Sequence, residues 1–124
     1  MNTRIKTTDY HMTPEVSDYL DERIGALKKF VDEDDETARC DVEIGRTAGR
    51  SNRADDQWRA EFNLVCASGV FRTEAAAATV NAAIDEAKDE LLRQLRKSKR
   101  KGIYVARRVG ARVKRFLRWG SDAA

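Results

Sequence analysis

The chain holds one histidine and one proline in 124 residues, two cysteines, and aromatics amounting to only 7%. Each scarcity excludes something. With His11 alone, neither a histidine-based metal site nor a two-histidine acid–base pair forms within one chain, and its place just before Thr13 suits a loop. Cys40 and Cys66 stand singly at apolar-parity positions of two predicted strands, which fits buried thiols rather than a disulfide or a metal pair. No run approaches the roughly 20 apolar residues that a membrane span needs. The opening MNTRIKTTDY has no apolar core or small-residue cleavage site, so neither a secretory signal nor a membrane role is expected, and the cytoplasm is the default location. The glycines at 45, 49, 69, 102, 110 and 120 match no phosphate-loop spacing. No nucleophile–base set is visible either, so neither catalysis, nor a cofactor, nor a small-molecule substrate is expected.

Charge is what the sequence has in abundance, at 36% of residues, and the net +3 conceals its distribution. Residues 1–92 carry 12 Lys or Arg against 20 Asp or Glu, whereas residues 93–118 carry 12 basic residues and no acid. A segment of that kind seeks a polyanion, nucleic acid above all.

Taken in order, NTRIKTT at 2–8 alternates Thr3, Ile5 and Thr7 with Arg4 and Lys6, the period-2 pattern of a strand. Thr13, Pro14 and Glu15 mark a helix start: hydroxyl cap, proline in the first turn, then an acid. Val16, Leu20, Ile24, Leu27 and Val31 then make one apolar stripe over about 14–31. The acid run Asp32–Glu36 lacks cation-loop spacing and its glycine, and reads as a solvated turn. Strands follow over 37–46, with Ala38, Cys40, Val42 and Ile44 inward, and over 57–67, with Trp58, Ala60, Phe62, Leu64 and Cys66 inward, paired as a hairpin across the loop TAGRSNRADD. Gly45 suggests a bulge. Ser68 and Gly69 turn the chain into a short strand at 70–75, the alanines at 75–78 let the next helix start close to the sheet, and Thr79 caps that helix. The expected fold is α+β, a two-layer β-α-β-β-β-α sandwich. Its four-stranded sheet contains an antiparallel meander of three strands, and both helices cover one face.

The last helix, VNAAIDEAKDELLRQLRKSKR, is two-faced. At 100° per residue Val80, Ile84, Ala87, Leu91 and Leu95 share one sector, and Arg93, Arg96, Lys97 and Arg100 gather opposite. Cations near a helix C-terminus also interact well with its dipole, but twelve without an acid repel one another, which phosphates would relieve. About six phosphate contacts would give a log–log salt slope near −4 to −5. Few aromatics are interleaved with the charges, so base reading is not indicated. Past Gly102 the phase continues: Val105, Val109, Val113 and Phe116 follow the core stripe, and Arg107, Arg108, Lys114, Arg115 and Arg118 follow the basic one. Residues 1–101 therefore read as a domain and 102–124 as a basic extension, either disordered or helical.

Three blocks carry a family resemblance: TPEVSDYLDERIGALKKFVD, VEIGRTAGRSNRADDQWRAEFNL and AAIDEAKDELLRQLRKSKRK. In that order the chain resembles the bacterial ribosome hibernation-promoting factors of the short type, over roughly residues 1–101. The resemblance implies a fold akin to double-stranded RNA-binding domains. It also implies a non-catalytic inhibitor lodged in the small ribosomal subunit, between head and body, over the messenger path and the tRNA sites. By the same resemblance, rRNA contacts fall on Lys28, Lys29, Arg93, Arg96, Lys97, Arg100 and Lys101, with Arg4 and Lys6 as weaker candidates; in the extension Arg107, Arg108, Lys114, Arg115 and Arg118 are candidates from phase alone. The chain departs from the family at Thr3, where an aliphatic residue is usual, and in having an arginine-rich tail where long members have a dimerising domain, so a monomer is expected when free. The competing expectations are a general RNA-binding or RNA-chaperone module using the same face and a protein-interaction module whose tail docks a partner helix.

Overall fold

Both helices begin where hydroxyl caps stop the preceding chain. In this computed structural model, which describes residues 1–47 and 57–98 in full and the backbone of 99–109, Thr13 Oγ1 accepts the Val16 N–H at 3.3 Å and Pro14 opens the first helix. Thr79 Oγ1 accepts the Ala82 N–H at 3.1 Å at the start of the second. The elements are β1 (Asn2–Thr8), α1 (Pro14–Lys28), β2 (Arg39–Arg46), β3 (Trp58–Cys66), β4 (Gly69–Ala77) and α2 (Val80–Val109).

The sheet order is β1-β2-β3-β4, with β1 parallel to β2 and the other pairs antiparallel. Alternation decides which face is covered: Cys40, Val42 and Ile44 of β2 and Ala60, Phe62 and Leu64 of β3 are buried against Leu20, Ile24 and Leu27 of α1 and Ala83, Ile84, Ala87, Leu91 and Leu95 of α2. Thr73 belongs to this layer too, its hydroxyl donating to the Ala87 carbonyl at 2.9 Å and tying β4 to α2. Both free thiols are buried, and burial pushes Cys40 up to about 11, which keeps it inert.

Several expectations change in detail. Gly45 is no bulge, because β2 pairs with β3 without interruption; a Cβ there would stand 2.3 Å from the Thr8 carbonyl oxygen, so glycine lets β1 close on β2. The alanines at 75–77 lengthen β4 instead of seating a helix, and Ala67 and Ser68 form the turn, with Gly69 (φ +136°) already paired to Cys66. β1 forms as expected and joins the sheet beside β2, but it is exposed along its whole length, Ile5 at 40%, since the helices sit over β2, β3 and β4. Helix α1 ends at Lys28 rather than near 31. Helix α2 crosses Gly102 and reaches Val109. The central loop over 48–56 lies outside the described residues.

Candidate nucleic-acid interface

Three contacts set how the helices lie. Asp85 on α2 accepts hydrogen bonds from the Tyr19 hydroxyl and from Arg23 Nε (3.0 Å), both on α1. Lys88 and Asp89 line a groove of about 530 Å³ with Ala26 and Lys29. Arg96 lies over the Phe30 ring, 5.7 Å from its centroid. From Asp85 to Arg96 the chain advances eleven residues, about 16 Å of helix, and from Tyr19 to Phe30 it also advances eleven, the last two in the turn beyond Lys28. The helices are therefore parallel and in step, and the end of α1 comes level with the basic stretch of α2.

That arrangement brings Lys28 and Lys29 to the same end of the helical layer as Arg93, Arg96 and Lys97, all five exposed. Arg96 leans toward Phe30 in the turn just past α1. Arg93 stands on the crest, 75% exposed, paired to Glu90 one turn back. The dipole explains Lys28 in the last turn of α1. It does not explain Arg93, Arg96 and Lys97, because α2 ends only at Val109, three turns beyond, and the dipole effect is confined to the last turn. Arg100, Lys101, Arg107 and Arg108 fall on the α2 backbone with side chains outside the described residues; Lys114, Arg115 and Arg118 lie outside them altogether.

Arg4 and Lys6 are not brought to this end. They sit on the outer face of β1, in register with Asp41 and Glu43, on the sheet side away from the helices. That face is largely self-neutralised: Arg59 binds Glu43, Glu61 and Glu74, and Arg72 reaches Glu61 at 3.3 Å. Burial raises the Glu61 carboxyl, but the Asn63 hydrogen bond and the two arginines outweigh it and hold the group below its usual range.

Periodicity missed the fastening between the helices. Burial pushes the Asp85 carboxyl up, yet the Tyr19 and Arg23 hydrogen bonds prevail and lower it, while the bond to Asp85 raises the Tyr19 phenol. Arg23 also stacks on Tyr19 at 4.0 Å. The Tyr19–Arg23 spacing of one helical turn was a visible signal, but its acidic partner was 62 residues away. Asp85→Asn is expected to cost about 1 kcal/mol near neutral pH, a modest figure because Asp85 is 38% exposed and screened. The lowered folded-state value means this stability is present above the ordinary carboxylate range, near pH 4, and is lost as pH falls through the folded value. Thermal melts of both proteins should thus differ at pH 7 and converge below about pH 4.

The fold and its basic end define the class: a two-layer α+β domain presenting cations from two parallel helices, with no cluster of metal-ligating side chains among the described residues. Residues 3–102 match the sigma 54 modulation protein / S30EA ribosomal protein family, and the chain belongs to that ribosome-associated family. Among solved structures it resembles the N-terminal domain of Protein Y from Thermus thermophilus, at 26% identity and a TM-score of 0.62, over 78% of this chain and 98% of that one. A ribosomal subunit interface protein from Coxiella burnetii shares the fold at 12% identity and a TM-score of 0.61, over 80% and 98%. No curated protein matches the sequence. The family anticipated from the three sequence blocks is thus the one found.

Proposed function

We propose that the protein is a cytoplasmic translation inhibitor that binds the small ribosomal subunit through rRNA phosphates, blocks the messenger channel and the tRNA sites, and keeps idle ribosomes intact. The observation that carries this reading is the convergence of Lys28, Lys29, Arg93, Arg96 and Lys97 at one end of a rigid helical layer. Arginine and lysine held on helices at fixed spacing suit phosphates, which position a protein without reading sequence. Inhibition follows from occupancy: a folded domain in the channel excludes messenger and tRNA and needs no reaction. The basic extension beyond residue 101, with Arg100, Lys101 and the later arginines, adds to the same contact.

Sedimentation of the protein with purified small subunits over a salt series tests this. With five phosphates met by the described cations, the binding constant should fall with a log–log slope of about −4. Added messenger and initiator tRNA should compete. A flat salt response, or equal binding to any duplex RNA, would favour the general RNA-binding module instead.

A further inference from the structure

The basic end is bordered by acid on two sides. Because α1 and α2 run parallel, sequence order becomes spatial order: Asp18, Asp21 and Glu22 come level with Glu86 and Asp89, and all five are exposed. Among the described residues Asp18, Asp21 and Glu86 have no ion pair, while Glu22 and Asp89 pair only with their neighbours Arg23 and Lys88. From Glu22 to Lys29, and from Asp89 to Arg96, is seven residues or about 10 Å of helix. On the other side the turn after α1 exposes Asp32, Glu33, Asp34 and Glu36, none in an ion pair among the described residues. Asp35 holds that turn in place by accepting the Ala67 N–H at 2.7 Å and the Thr37 N–H at 3.0 Å, so the acids stay beside the cations.

We propose that these acids fence the basic end and make it selective, admitting an RNA surface whose phosphates converge on that end and turning away a regular duplex laid along the helices. Screening sets the scale. The Debye length is about 8 Å at physiological salt, so a phosphate seated on Lys29 or Arg96 is largely shielded from Glu22 and Asp89, each about 10 Å away along its helix. A duplex carries one charge per about 1.7 Å of axis, whereas α1 alone runs about 22 Å, so a duplex lying along it faces the acids directly. Specificity of this kind comes from penalising the wrong partner rather than strengthening the right one. An irregular rRNA wall can meet the end alone.

The inference rests on the proposed ribosomal function, and the two are tested separately. In the variant Asp18→Asn, Asp21→Asn, Glu22→Gln, Glu86→Gln and Asp89→Asn every changed side chain is exposed, and Asp85 keeps its helix-to-helix bonds. Affinities of wild type and variant are measured for small subunits and for a duplex RNA of about 20 base pairs, with circular dichroism confirming equal helix content. Neutralising the fence should tighten duplex binding about tenfold and subunit binding by no more than about threefold. Equal tightening of both ligands, as a simple rise in net charge would give, overturns the fence, and so does an unchanged duplex affinity. Failure of the ribosomal reading appears instead in the wild-type protein, as no preference for subunits over duplex.

Discussion

Converting Lys28, Lys29, Arg93, Arg96 and Lys97 to glutamate together is expected to lower affinity for small ribosomal subunits by at least about 10³-fold, the loss of some five phosphate contacts compounded by new repulsion. The domain should remain folded, because all five side chains are exposed and the core on the opposite sector of α2 is untouched. Glutamate near the end of α1 and beside Glu90 costs only about 0.3–1 kcal/mol at each site. Glutamine at the same five positions separates lost attraction from added repulsion and should give an intermediate loss with a flattened salt slope. Binding that survives both variants would remove the basic end from the mechanism. Arg4→Glu with Lys6→Glu is the internal comparison, since those residues lie on the sheet's outer face.

The second large effect concerns stability. Phe62 is fully buried on the inner strand β3, in register with Val42 on one side and Thr73 on the other, within the core that the helices cover. Phe62→Ala removes the largest fully buried side chain among the described residues and leaves a cavity that strands and helices cannot all close; the expected cost is about 3–5 kcal/mol. Against a typical domain stability of about 5–15 kcal/mol, that lowers the thermal midpoint by roughly 10–20 °C. A chemical denaturation curve with an unchanged slope and a shifted midpoint would confirm a packing loss; a loss under about 1 kcal/mol would place the core elsewhere.

The contrast between these residues shows where sequence reasoning reaches. Phe62 was legible because its neighbours alternate with a period of two, and Leu91 because it recurs with a period near 3.6; burial imposes such patterns on any amphipathic element. Helix starts were legible for the same local reason, Thr13 and Thr79 each satisfying a donor three residues on. Helix ends were not. Lys28 stops α1 before the apolar stripe runs out, and α2 passes through Gly102, whose cost of about 1 kcal/mol a long helix absorbs. The exposure of β1 was hidden as well, because alternation records which face a residue takes, not whether a helix lies over it.

For the candidate interface the division is the same. By itself the sequence determined the β-α-β-β-β-α order, the inward residues, a polyanion-seeking basic segment and the family, since all of these are written in local periodicity, charge and residue blocks. Tertiary structure alone decided that the two helices run parallel, that Tyr19 and Arg23 meet Asp85, that Arg96 lies over Phe30, and that Arg4 and Lys6 fall on the far side of the sheet. The contacts of Asp85 with Tyr19 and Arg23 join residues 66 and 62 positions apart, and no periodicity within one element encodes the direction in which a second element packs against it.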